Sequence, residues 1–214
     1  MTDDVKGSAA GGLRTARTAR TEAALIEAAT ALFVEQGYVP TTLTQVAEHA
    51  GLSPRTVYVR FGTKAALFRR VVDQALVGDA EPVDVAHRPG TLAAMSAPTL
   101  EARIDAFVTA AAGIAERAGA LFEVAVQAEG LEPEIAQAAQ AGREATAQLC
   151  ADFWAAAVAD RLLPDDTDIA PLARTTDVLV CADTLVHLRR TTAWSAPGHA
   201  SWLRRTITSL VSTT

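Results

Sequence analysis

Two short helical segments that meet at a glycine constrain this chain more than any other feature of its sequence. Residues 42–45 read Thr-Leu-Thr-Gln, the capping-box pattern that begins a helix. Gly51 ends that helix after about two turns, because glycine readily adopts the left-handed conformation of a sharp reversal. Ser53 and Pro54 then begin a second short helix, since serine caps a free amide and proline loses no hydrogen bond there. This spacing predicts a helix-turn-helix, whose second helix lies in the DNA major groove.

Apolar spacing on both sides of this pair predicts helices that pack against it. A helix of about four turns runs from Thr21 to Gln36, with its apolar residues three and four positions apart, and Gly37 ends it. After Gly62 and Thr63, a longer helix begins at Lys64. The segment is therefore predicted to contain four helices.

The helix that begins at Ser53 has two chemically different faces. At 100° per residue, Val57 and Phe61 share its inner face, whereas Arg55 and Val59 point roughly the opposite way. Thr56 and Tyr58 occupy the flanks. The outer surface therefore presents a cation, a phenol and a hydroxyl, which are groups that contact bases and phosphates.

Charge divides the chain into two parts that the net charge of −6 conceals. Residues 13–70 contain eight basic and four acidic residues, whereas residues 78–214 contain 10 basic and 18 acidic residues. A mildly basic N-terminal module followed by an acidic body is compatible with a polyanion-binding head, although a surplus of this size also arises from ordinary surface variation.

The stretch from Ala23 to Leu76 resembles the DNA-binding domain of the TetR family of bacterial repressors. The resemblance is closest over LFVEQGYVPTTLTQVAEHAGLSPRTVYVRFGTKAALF and covers about a quarter of the chain. It implies a homodimeric repressor that binds a near-palindromic double-stranded DNA operator and is released by a small-molecule effector. Activation instead of repression stays open.

The resemblance also implies roles for individual residues. Thr42 and Thr44 contact phosphate, with helix capping as the alternative for Thr42. Many members have glycine where this chain has Arg55, so Arg55 is the main candidate to contact a base or a phosphate. Tyr58 binds phosphate or packs on a thymine methyl, and Lys64 binds phosphate. The predicted DNA-contacting residues are Arg17, Arg20, Thr42, Thr44, Ser53, Pro54, Arg55, Thr56, Tyr58, Val59, Arg60 and Lys64.

Two of these predictions rest more on the residues themselves than on the resemblance. Arg60 stands where the family commonly has tyrosine or histidine. Its guanidinium is suited to clamp a phosphate. Arg14, Arg17 and Arg20 recur every third residue, which indicates either a basic arm along the DNA or part of a disordered tail.

The composition predicts an all-α fold with two domains and a tail. Half of the residues are hydrophobic but only 5% are aromatic, and alanine dominates the apolar residues. Residues 1–15 form a disordered, flexible basic tail, residues 16–77 the three-helix helix-turn-helix domain, and residues 78–214 a larger helical ligand-binding and dimerisation domain. Residues 78–98 read as a connection, followed by helices near 99–117, 119–130, 132–162, 169–194 and 199–211.

Apolar residues on both faces of the predicted helix 169–194 indicate that it is covered on both sides. A second copy of the chain could supply one cover, which gives a four-helix homodimer interface, and central burial within one chain is the alternative. The predicted interface residues are Leu172, Leu179, Val186, Trp202, Leu203, Ile207 and Leu210.

The effector cannot be identified from the sequence. Its pocket would be apolar with few polar groups, and the candidate lining residues, each of which could equally belong to the core, are Phe107, Phe122, Gln127, Phe153, Trp154 and His187. A helical DNA-binding or interaction protein without an effector is the alternative function.

Several other classes of protein are disfavoured. The four histidines form no metal motif, no Gly-rich phosphate loop is present, and neither Cys150 nor Cys181 lies in a nucleophile motif, so no enzyme activity, cofactor or metal is predicted. No apolar run reaches the length of a membrane span and no leader is evident, which predicts a cytoplasmic protein without membrane contact.

Overall fold

The computed structural model describes residues 4–78 and 85–212, with side chains from residue 16 onward. Within these residues all regular structure is helical, which confirms the predicted all-α class. A 3₁₀ turn lies at Val85–His87. The α-helices are α1 (Asp4–Gln36), α2 (Leu43–His49), α3 (Pro54–Phe61), α4 (Lys64–Val77), α5 (Pro89–Ser96), α6 (Leu100–Ala128), α7 (Pro133–Ala159), α8 (Ile169–Val180), α9 (Ala182–Thr191) and α10 (Ala196–Ser212).

The chain forms two compact units, Met1–Val71 and Val72–Thr214. The division falls inside α4, whereas the sequence placed the domain boundary after residue 77. Helix periodicity could not reveal this division, because α4 is continuous across it.

The core of the first unit is built on three aromatic rings. Phe33 on α1 contacts Phe68 on α4 edge to face, with ring centroids 4.9 Å apart, and Tyr38 completes the group at 5.8 Å and 5.5 Å from them. Val46 from α2 and Val57 from α3 are fully buried. Burial of these apolar residues holds the two short helices against α1 and α4.

Local capping signals place the N-termini of α2 and α3 where the sequence predicted them. The Thr42 hydroxyl accepts a hydrogen bond from the Gln45 amide at 3.2 Å, and the Thr42 amide donates to Gln45 Oε1 at 2.9 Å. Ser53 Oγ accepts from the Thr56 amide at 3.3 Å. Gly51 has a φ of 66°, so the turn between the helices uses the left-handed conformation that favours glycine.

The second unit packs an aromatic core between α6 and α7. Phe153 lies 4.8 Å from Phe107 and 5.0 Å from Trp154, measured between ring centroids. The Trp154 indole N–H donates to the buried Thr176 hydroxyl on α8 at 3.0 Å, which satisfies the only polar atom of that side chain. Leu203 and Ile207 from α10 complete this core.

Two predicted helix boundaries in the second unit differ from the structure. α6 continues through Ala118 and Gly119, although the sequence predicted one helix to end at residue 117 and the next to begin at residue 119, and a side chain at Gly119 would come within 3.2 Å of Arg189. Conversely, Cys181 has an extended backbone that ends α8 and begins α9 inside the predicted helix 169–194. The seven-residue repeat of Leu172, Leu179 and Val186 spans this interruption, so the repeat alone predicted a single helix.

The start of the chain also differs from the prediction. α1 begins at Asp4, whereas the sequence predicted a disordered tail over residues 1–15. Residues 1–3 of that tail lie outside the described residues. Within the predicted connection 78–98, the structure describes the 3₁₀ turn and α5. No described helix combines the length and the apolar character that crossing a bilayer requires.

Candidate nucleic-acid interface

The outer face of α3 is exposed as the helical periodicity predicted. Val59 and Tyr58 are 78% and 53% exposed, whereas Val57 is fully buried. Arg55 is exposed, and no residue in the described part of the chain forms a hydrogen bond or an ion pair with it. α3 therefore offers a guanidinium, a phenol and an isopropyl group to a ligand outside this unit.

The N-terminal turn of α3 is rigidly capped. Ser53 Oγ lies 2.9 Å from Thr56 Oγ1 and also accepts from the Thr56 amide, so both predicted contact residues are already engaged with each other. Pro54 at the first helical position is exposed. These contacts fix the orientation of the first turn of α3, which follows the reversal at Gly51 and carries Arg55.

At the start of α2, Thr42 and Thr44 play different parts. Thr42 caps the helix, as both bonds of the capping box show. Thr44 lies exposed in the first turn, where the free amides and the helix dipole favour a phosphate. The capping role of Thr42 leaves its predicted phosphate contact as a prediction.

A carboxylate shared by two arginines joins α1, α3 and α4. Glu22 accepts from Arg60 at 2.6 Å and from Arg70 at 3.2 Å, measured between the nitrogen and carboxylate oxygen atoms. Because one negative charge faces two positive ones, the group keeps a net positive charge next to the exposed face of α3. Arg60 is thus held at a defined place before it meets any phosphate.

Lys64 is tied to the loop that precedes α2. Its ammonium donates to the carbonyl oxygens of Tyr38 at 2.9 Å and Val39 at 3.3 Å. The same nitrogen lies 4.2 Å from the centre of the Tyr38 ring, a cation–π geometry. The structure thus gives Lys64 a positioning role, while its predicted phosphate contact stays a prediction.

Two of the three arginines of the predicted basic arm have described side chains. Arg17 and Arg20 are exposed on α1, one turn of helix apart. Arg14 lies in the same helix, but its side chain is outside the described residues.

The predicted ligand residues do not gather around one cavity. Phe107, Phe153 and Trp154 belong to the closed aromatic core, and Gln127 and His187 are exposed. Phe122 lines a cavity of about 20 Å³, and a neighbouring cavity of about 300 Å³ is lined by α6, α9 and the start of α10.

Sequence reasoning missed the polar and aromatic residues of the larger cavity, which are Glu116, Arg189, Thr192, Trp194, Ser195 and His199. One feature of the sequence pointed to Glu116. The positions three and four residues from Glu116 on α6 hold only alanine and glycine, so that carboxylate has no intrahelical cation.

The predicted dimer residues fall into two groups. Val186, Leu203 and Ile207 are buried within the single chain. The other four, which are half-buried and retain surface for a partner, are Leu172, Leu179, Trp202 and Leu210. Val178 on α8, which is not among the predicted interface residues, is 55% exposed.

Other ionisable groups of the second unit are structural. Arg143 on α7 donates to Asp183 at 2.9 Å and to Glu129 at 3.0 Å, and its hydrogen bond lowers the pKa of Asp183. Burial raises the pKa of the Cys150 thiol to about 12. No cluster of three metal-binding side chains occurs among the described residues.

Comparison with known proteins finds a similarity within the first unit. The family model described as "Bacterial regulatory proteins, tetR family" matches residues 25–71, which span the end of α1 through the middle of α4. The HTH-type transcriptional repressor BdcR of Escherichia coli (strain K12) is 34% identical over 58 residues. Residues 25–71 are therefore similar to the regulatory proteins of the TetR family.

The match to BdcR covers 27% of this chain and 29% of that protein, so the chain spans less than a third of the length of this relative. Solved structures extend the likeness of fold to nearly the whole chain. A putative TetR-family regulator from Mesorhizobium loti MAFF303099 has a TM-score of 0.69 at 20% identity, covering 92% of this chain and 98% of that one.

A second solved structure has a similar fold. NalD, the secondary repressor of the MexAB-OprM multidrug efflux pump in Pseudomonas aeruginosa, has a TM-score of 0.66 at 20% identity, covering 90% of this chain and 96% of that one. At this identity the likeness concerns the fold alone.

Proposed function

We propose that this protein is a TetR-family transcriptional repressor that binds a near-palindromic DNA operator as a homodimer and is released by a small-molecule effector. The observation that carries the proposal is the outer face of α3, where Arg55 has no intramolecular partner and Tyr58 and Val59 are more than half exposed. A recognition helix needs such a face, because groups that are already engaged must break contacts before they reach a base.

The surroundings of α3 support binding to the phosphate backbone. Arg17 and Arg20 are exposed on α1, and the group around Glu22 keeps a net positive charge. Phosphate contacts from such residues orient a helix on DNA but carry no sequence information. Specificity therefore rests on Arg55 and its neighbours on α3.

Selection of the purified protein against random duplex DNA tests the proposal. The wild-type protein is expected to enrich an inverted repeat at about physiological salt, since a twofold dimer presents two recognition helices. Arg55→Ala is expected to relax one position of each half-site if Arg55 contacts a base. If it contacts phosphate, the slope of log affinity against log salt falls by about one per contact instead.

The control is Arg190→Ala, which removes an exposed arginine from α9 in the second unit and should leave the enriched sequence unchanged. Failure to enrich any sequence, with weak binding that Arg55→Ala does not alter, would show that α3 does not recognise DNA. Sequence-specific binding that no small molecule reverses would instead favour a regulator without an effector.

A further inference from the structure

The larger cavity of the second unit lies between three elements. Its volume is about 300 Å³, at the lower end of the range for sites that hold small organic molecules. α6 contributes Ala112, Ala115 and Glu116, and α9 contributes Leu185, Leu188 and Arg189. The small side chains of Ala112 and Ala115 keep this volume open, because larger residues at these positions on α6 would fill it.

The rings of Trp194 and His199 line the cavity on the side of α10, and both contact the Trp202 ring, which does not line it. Trp194 and Trp202 have ring centroids 5.2 Å apart, and the His199 imidazole stacks on Trp202 at 5.9 Å with an angle of 20° between the planes. Trp194 is 46% exposed and lies at the rim of the cavity. The cavity therefore offers flat apolar surface to a planar molecule.

One polar atom in this wall lacks a partner. His199 Nε2 is buried and makes no hydrogen bond within the described chain. Buried polar atoms are nearly always paired, so an unpaired one that lines a cavity is suited to a ligand. Burial also lowers the pKa of His199, which keeps the imidazole neutral near pH 7.

Among the charged groups that line the cavity, one negative charge has no partner in the described chain. Arg189 donates to Glu123 at 2.5 Å and lies across Gly119, so its charge is neutralised and its position is fixed. Glu116 forms no hydrogen bond or ion pair with any described residue. An organic cation would be attracted here, and an organic anion would meet an uncompensated carboxylate.

From these contacts we infer that the cavity binds a small planar aromatic cation. The ligand's ring stacks against Trp194 and His199, its positive charge faces Glu116, and its polar edge pairs with His199 Nε2. Cation–π attraction to the indoles adds to the ion pair. The inference names the chemical class of the effector and so rests on the effector part of the proposed function.

Two dyes of matched shape test the inference. 9-Aminoacridine is a planar tricyclic cation at neutral pH, and anthracene-9-carboxylate is a tricyclic anion. Isothermal titration calorimetry of the full chain without DNA should show one cation bound per chain and at least tenfold weaker binding of the anion. Quenching of the fluorescence of Trp194 and Trp202 should follow the same binding curve.

Variants locate the dye. Glu116→Gln should weaken binding of the cation by about tenfold, the effect of losing one charge-assisted contact. Glu101→Gln, which neutralises an exposed acid in the first turn of α6, should change nothing. Ala112→Met should fill the space and abolish binding, and circular dichroism of each variant shows whether its helices are intact.

Three results would overturn the inference: no binding of the cation, equal binding of both dyes, or cation binding that Glu116→Gln leaves unchanged. Binding that disappears as the protein concentration rises would also overturn it, because a second copy would then occupy the cavity. Since the assay contains no DNA, its failure leaves operator selection intact, and a failure of operator selection leaves the dye result intact.

Discussion

Three cations near the proposed DNA surface differ in what their side chains already hold. Arg60 pairs with Glu22, and Lys64 donates to two loop carbonyls. Arg55 has no partner within the described chain. A phosphate or base must displace protein contacts to engage Arg60, whereas at Arg55 it displaces only water. For this reason Arg55 dominates the proposed recognition of sequence.

His199 contributes to the dependence of the second unit's stability on pH. Burial lowers the pKa of His199, so the unfolded chain takes up a proton at a higher pH than the folded one. Stability should therefore be full above the ordinary histidine pKa and fall as pH drops below about 6.5. Urea unfolding at about pH 7.5 and pH 5.5 measures the loss, and His199→Gln should reduce it.

The matched control for this prediction is His187→Gln, since His187 is exposed on α9. It should lose as much stability on acidification as the wild-type protein. Glu116 and Arg189, which line the same cavity, carry the same charges in both variants and cancel in the comparison. Equal losses in His199→Gln and the wild-type protein would contradict the prediction.

Among the elements, the end of α4 shows how one side chain completes a helix. Arg117 on α6 donates to the carbonyl oxygens of Ala75 and Leu76, both at 3.1 Å. Gly78, with a φ of 86°, and Gly113 leave room for this guanidinium, because a Cβ at either glycine would come within 3.1 Å of it. The last turn of α4 is thus capped by a cation, which also suits the helix dipole.

Replacing Arg117 by methionine should destabilise the second unit. The variant keeps an unbranched chain but loses both hydrogen bonds to the α4 carbonyls, and the expected decrease in the free energy of unfolding is about 1 kcal/mol. Urea denaturation measures it. Arg190→Met removes an exposed arginine on α9 without such bonds and should be nearly neutral. An unchanged free energy of unfolding in Arg117→Met would contradict the prediction, since water would then satisfy the α4 carbonyls as well as the guanidinium does.

The elements also show which parts of the fold a sequence can predict. The N-termini of α2 and α3 were predicted correctly because the side chains of Thr42, Gln45 and Ser53 accept hydrogen bonds from backbone amides three residues away. At Gly119, where α6 continues, the space beside the helix is filled by Arg189, which is distant in sequence, and the extended backbone of Cys181 has no signal in the apolar spacing. For the same reason, the exposed face of α3 was foreseen, but the cavity beside Glu116 was not.

At the scale of the whole molecule, the proposed function requires two chains. Of the residues predicted for the interface, Leu210 is half-buried near the end of α10 and does not contribute to the core cluster. Leu203 and Ile207 are already used inside the chain. A partner would therefore pack against the outer faces of α8 and α10 and leave the inner face of α10 unchanged.

The wild-type protein should be a dimer at micromolar concentration, and Leu210→Glu should raise its dissociation constant at least tenfold by burying an unpaired charge. Size-exclusion chromatography with light scattering measures both. Leu131→Glu introduces the same charge at a 61% exposed leucine between α6 and α7 and should leave the dimer intact. A monomeric wild-type protein would contradict the homodimer part of the proposed function.

The two cysteines give this molecule a built-in reporter. Cys150 is buried and its pKa of about 12 leaves almost no thiolate near neutral pH, so thiol reagents do not modify it in the folded state. Cys181 is half-buried at the junction of α8 and α9. A nitroxide attached there marks one point per chain, and in a twofold assembly the spacing of the two spins would report directly how the copies move when operator or effector binds.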